Sequence, residues 1–146
     1  MTIRPAATKA LRWAALVPAA IIGWHAAFLG GLMLLDAAKH LCPAESLVSG
    51  FCVAPWFRHL ETAITCASVA VAAFLVVVLP TWVAPVRKMA VAGVAFAAGL
   101  AVAIIFAVQL SAWAEFASAV LGGAVGLALA LRAAGRAAPA RPADLR

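Results

Sequence analysis

Charge is scarce in this chain. Only 11% of its 146 residues are Asp, Glu, Lys or Arg, against about 25% in an ordinary soluble domain. So few charges cannot cover the surface of a soluble fold of this size, which excludes a soluble enzyme. A disordered segment is excluded too, because it requires low hydrophobicity. Three cysteines are too few for a disulfide-dense secreted miniprotein. Recognisable chemistry is equally sparse. There is no Gly-rich phosphate loop ending in Lys-Ser/Thr, no Gly-x-Ser-x-Gly, no His-Glu-x-x-His and no internal repeat. Those spacings recur because a phosphate, a nucleophilic serine or a zinc ion needs its groups held that way. We therefore expect no enzyme and no cofactor.

What the chain has is apolar length. Hydrophobic residues make up 67% of it, and its mean hydropathy is +1.10. A helix needs about 20 mostly apolar residues to cross a bilayer. Trp13 to Leu35 carries no formal charge, and Leu60 to Leu79 carries only Glu61. Met89 to Leu131 holds a single charge, Glu115; as one rod it would be roughly 64 Å long, about twice the hydrocarbon thickness. It must fold back, and the polar group Gln109, Ser111 and Glu115 marks the place. Pro18 falls early in the first span, and Pro80 and Pro85 are expected to end the second. The predicted fold is an all-α integral membrane protein: four transmembrane helices in a compact bundle, over 13–35, 60–79, 89–108 and 113–131. An outer loop covers 36–58, a cytoplasmic N-terminal segment 1–12, and a disordered basic tail 132–146.

The basic residues fix the orientation. Arg4, Lys9 and Arg12 precede the first span, Arg87 and Lys88 separate the second from the third, and Arg132, Arg136, Arg141 and Arg146 follow the fourth. Only Lys39 and Arg58 lie on the other side, with Asp36, Glu45, Glu61 and Glu115. Lys and Arg are retained on the cytoplasmic side, so both termini are expected in the cytoplasm. The net charge of +6 is thus a topology signal. It is not a clustered footprint for nucleic acid, which would need one basic face. The Ala- and Arg-rich composition suggests a bacterium, hence a multi-pass inner-membrane protein. Cleavage as a signal peptide near Ala26 and Ala27 is the competing reading of the N-terminus, but the apolar run continues to Leu35.

The outer loop holds most of the chemistry. If it is periplasmic, Cys42 and Cys52 sit in a disulfide-permissive compartment, and the turn formers Pro43, Ser49, Gly50 and Pro55 can bring them together. Their spacing is wider than that of a catalytic Cys-x-x-Cys pair, so a structural staple is expected. Cys66, inside the second span, reads as a buried apolar residue. The alternative use of the same loop is a metal site made of His40, Cys42, Cys52 and His59, although no pair has a recognised zinc spacing. Haem held by paired transmembrane histidines is not expected, because only His25 is deep in a span.

His25 is the ionisable residue nearest mid-membrane, and such a group is a functional candidate by default. It shares a helix face with Leu29, Leu32 and Asp36, while Glu61, Thr65 and Ser68 form a polar stripe on the second span. His25, Asp36, Glu61 and Glu115 are the candidate functional polar residues, and His25, Asp36, Glu61, Thr65 and Ser68 would line a shallow vestibule. Alternatively His25 bonds to a neighbouring helix and the hydroxyls bond their own carbonyls. Trp13, Trp56, Phe57, Trp82 and Trp113 near span ends read as an interfacial belt. Gly122-x-x-x-Gly126 and Ala119-x-x-x-Gly123 allow close helix approach, within the bundle or between copies. Small multidrug transporters also have four spans but place an acidic residue deep in the first, where this chain has His25. Membrane disulfide-forming enzymes need a Cys-x-x-Cys pair that is missing.

The expected function is that of a non-catalytic accessory, assembly or interaction subunit that presents a stapled loop. Its partners would be the lipid bilayer and a membrane or periplasmic protein, or a second copy in a homo-oligomer. An ion- or proton-coupled transporter using His25 and the outer acidic residues is the alternative. Periplasmic metal or thiol redox handling is the third reading.

Overall fold

A computed structural model describes residues 5–136 of the chain. The elements in order are α1 (Pro5–Ala14), α2 (Leu16–Lys39), a single 3-10 turn (Ala44–Ser46), β1 (Leu47–Val48), β2 (Phe51–Cys52), α3 (Pro55–Val83), α4 (Lys88–Leu110) and α5 (Trp113–Arg136). Four helices are long and apolar enough to cross a membrane: Ala7–Lys39, Pro55–Val83, Lys88–Leu110 and Trp113–Arg136. The shortest has 23 residues, or about 35 Å against a hydrocarbon core of about 30 Å.

The first of these joins α1 to α2. Pro18 has no N–H to give to the carbonyl four residues back, and the helix loosens at Ala15 without breaking: Ala15 N–H still reaches Leu11 O at 3.0 Å, and Ala19 N–H reaches Ala15 O at 3.0 Å.

The second span does not end at Pro80, as the sequence suggested. α3 runs through Pro80 to Val83. Proline withholds the donor that would meet Val76 O, and the bonds on either side of that gap carry the helix on. Thr81 Oγ1 donates to Val77 O at 2.7 Å, and Ala84 N–H donates to Pro80 O at 2.9 Å. Arg12 Nε then donates to Val83 O at 3.0 Å, satisfying one of the carbonyls that a helix C-terminus leaves open. Pro85 lies in the connection to α4.

α3 is the central element. It packs against α2 and α5 along most of its length, and α4 closes onto α5 and α3. Small residues set these spacings. A Cβ at Gly122 of α5 would strike the backbone carbonyl of Ala70 in α3, and one at Gly126 would come within 3.1 Å of Phe74 O. The Gly122-x-x-x-Gly126 pattern is therefore an internal contact between α5 and α3. Gly31 of α2 plays the same part against Ser68. The buried core is correspondingly thin. Val77, 1% exposed, packs with Ala92 and Ala130 against Phe96 and Leu127, while large side chains such as Ile22, Met33, Val94 and Leu121 face outward, as lipid-facing residues should.

α4 and α5 are separated by Ser111 and Ala112, with Ser111 in the left-handed region at φ 55°. The turn thus lies within the polar stretch that the sequence indicated. The helices extend beyond the apolar runs. The segment between α2 and α3 shrinks to 40–54, and α5 continues to Arg136, so Arg132 to Arg136 are helical and not part of a disordered tail. The remainder of that expected tail, 137–146, lies outside the described residues, as does the start of the N-terminal segment.

Candidate functional site

The end of the bundle opposite the basic helix termini is closed by a disulfide-bonded hairpin. α2 unwinds through tight turns, with His40 N–H bonded to Ala37 O at 3.2 Å and Cys42 N–H to Lys39 O at 3.0 Å. Pro43 turns the chain into the 3-10 segment. β1 and β2 then pair antiparallel, Leu47 opposite Cys52 and Val48 opposite Phe51. The two residues between them, Ser49 (φ 50°) and Gly50 (φ 81°), both have positive φ, as a type I′ two-residue hairpin turn requires. Val53 N–H bonds Ser46 O at 2.9 Å and extends the pairing. Pro55 then opens α3 at a first-turn position, where its missing N–H costs nothing.

Two anchors hold the hairpin. Cys42 and Cys52 form a disulfide with Cα atoms 5.9 Å apart, inside the usual range for an unforced bridge. On the inner side Phe57 is buried with Ala38 and Ala54, backed by Cys52, Leu60 and Ile64. The rest of the hairpin is apolar and open: Leu47, Val48, Phe51 and Val53 are all exposed, Phe51 at 70%. Charged residues flank it in the chain. Asp36 and Lys39 form an exposed pair at 3.6 Å, worth less than about 1 kcal/mol, and Glu45, Arg58 and Glu61 are exposed nearby in the chain. Glu115 sits in the first turn of α5, where the helix dipole favours a carboxylate.

The polar vestibule is not assembled. His25 lies on the outward face of α2, and its Nδ1–H donates to Ile21 O of the same helix at 2.9 Å. It bonds neither a neighbouring helix nor Asp36. Its ring stands edge-on to Trp24, with centroids 4.7 Å apart. Thr65 Oγ1 donates to Glu61 O at 2.9 Å and Ser68 Oγ to Ile64 O at 2.8 Å, so both hydroxyls are spent on their own helix. The hollow they border, about 200 Å³ beside Trp24, Phe28 and Leu32, is apolar. The alternative metal set is not assembled either. The sulfurs of Cys42 and Cys52 are joined to each other, and His40 and His59 are exposed. No group of three or more His, Cys, Asp or Glu side chains that could hold a metal gathers among the described residues. Cys66 is a free, half-buried thiol.

The sequence reading overlooked the hairpin and its apolar tip. The signal was present: Ser49-Gly50 is a two-residue turn pair flanked by the strand formers Leu47-Val48 and Phe51-Cys52-Val53.

Four membrane-crossing helices in a compact bundle define a multi-pass membrane protein. Comparison with protein-family models, with curated proteins and with solved structures finds no match.

Proposed function

We propose that the protein is a small non-catalytic accessory subunit of the bacterial inner membrane, and that its stapled hairpin is the surface a partner protein binds. The observation that carries this reading is the hairpin itself. Lipid-facing apolar residues on a helix need no explanation, but four exposed apolar side chains on a cross-linked tip beyond the helix ends do. Fixing the tip in advance lowers the ordering cost of association. The distribution of Lys and Arg supports both termini in the cytoplasm, which leaves the hairpin in the periplasm, where a disulfide is maintained. The transport reading finds less support, since its central residue His25 faces away from the bundle.

The test is affinity purification in mild detergent of the wild type, Phe51→Asp and Cys42→Ser. The expected result is a stoichiometric companion with the wild type that is lost with Phe51→Asp while the membrane domain stays folded. Cys42→Ser removes a ten-residue loop closure worth roughly 2–3 kcal/mol and should weaken recovery of the companion. Companion binding that survives Phe51→Asp unchanged would overturn the proposal. So would bound metal by elemental analysis, or proton-dependent uptake in vesicles by the purified chain alone.

A further inference from the structure

At the end of the bundle opposite the hairpin, Lys88 from the start of α4 and Arg132 and Arg136 from the end of α5 line one pocket of about 480 Å³. The two arginines are four residues apart and share a helix face, where like charges repel. None of the three has a carboxylate partner among the described residues. The described carboxylates, Asp36, Glu45, Glu61 and Glu115, all belong to the hairpin end, and the one ion pair among the described residues is Asp36–Lys39. The first turn of α4 adds N–H groups with no side-chain cap, and such a turn favours an anion.

Below the cations the pocket is apolar. Phe74, Val78 and Trp82 of α3 face Leu129 and Ala130 of α5. Thr81 also borders it, but its hydroxyl is already bonded to Val77 O. From Trp82 to Phe74 the wall descends about 12 Å, most of the roughly 15 Å that one leaflet contributes to the hydrocarbon core.

We propose that this pocket binds an anionic phospholipid, with the phosphate among Lys88, Arg132 and Arg136 and an acyl chain along Phe74, Val78 and Leu129. A soluble anion would leave the apolar wall unused. A zwitterionic lipid would bring its own cation against three others. Basic pockets between transmembrane helices are suited to anionic headgroups for these reasons.

The test reconstitutes the full chain in phosphatidylcholine nanodiscs and follows the unfolding temperature as phosphatidylglycerol replaces part of the phosphatidylcholine. The wild type should be stabilised. Arg132→Gln should need about fivefold more phosphatidylglycerol for half the effect, the typical worth of one basic side chain near an anionic surface. Lys88→Gln, on another helix, should do the same and covers the case in which the arginine variant fails to fold. Lys9→Gln removes a cation from the same end but outside the pocket and should behave as wild type. An equal loss with Lys9→Gln would reduce the effect to general surface charge and overturn the proposal. Stabilisation by inorganic phosphate in pure phosphatidylcholine would assign the pocket to a soluble anion. A lipid response seen only with Asp144→Asn would assign it to the chain's own tail. Either result overturns the proposal.

Discussion

His25 shows how far a single residue's chemistry depends on which way it points. Its position within the Ala7–Lys39 helix puts it near the middle of the span, where a charged form is costly. One ring nitrogen is bonded to Ile21 O, and the ring leans on Trp24 on the outer face of α2. No other helix depends on it. His25→Leu should therefore leave abundance and thermal unfolding in detergent within about 0.5 kcal/mol of wild type, as for substitutions away from buried networks. Normal abundance combined with complete, pH-linked loss of cellular function would reinstate His25 as a proton carrier. Sequence spacing placed His25, Asp36 and Glu61 on plausible faces. It could not show that His25, Thr65 and Ser68 each find a partner within their own helix, because an i to i−4 hydrogen bond from a side chain leaves no trace in hydropathy.

At the scale of elements, the bundle is held by close backbone approach of α5 and α2 to α3. Gly122→Val would push a side chain into the Ala70 carbonyl, where no flexible atom can yield; overpacking of this kind costs about 1–3 kcal/mol or more, and the folded fraction in detergent should fall. Gly99→Ala meets nothing within 4 Å and should be neutral or slightly stabilising, since glycine is the poorer helix former by up to about 1 kcal/mol. If the two variants behave alike, the α3–α5 seam is not where the packing lies. The four helices were legible from apolar run length. Their ends were not, because hydropathy marks where the hydrocarbon stops and a helix can continue past it, as α5 does to Arg136. Pro80 misled for a related reason: proline removes only one donor, and α3 continues through it at a buried position. The left-handed Ser111 made a turn without the glycine that usually announces one. The two-residue strands of the hairpin are too short for a periodic signal, and only the Ser49-Gly50 pair pointed to them.

The whole molecule is polarised along its length. One end gathers Lys88, Arg132 and Arg136 with Arg12. The other carries the described carboxylates and the disulfide-bonded hairpin. The proposed partner surface, the stability of the Cys42–Cys52 bond in the cell and the inner-membrane assignment all require these ends to face different compartments. Reporter fusions test this most directly: one placed after Arg146 and one inserted at Ser49-Gly50, each read with a cytoplasm-active and a periplasm-active enzyme. The account predicts cytoplasmic activity at Arg146 and periplasmic activity at the hairpin. Activity of both fusions in the same compartment would contradict it.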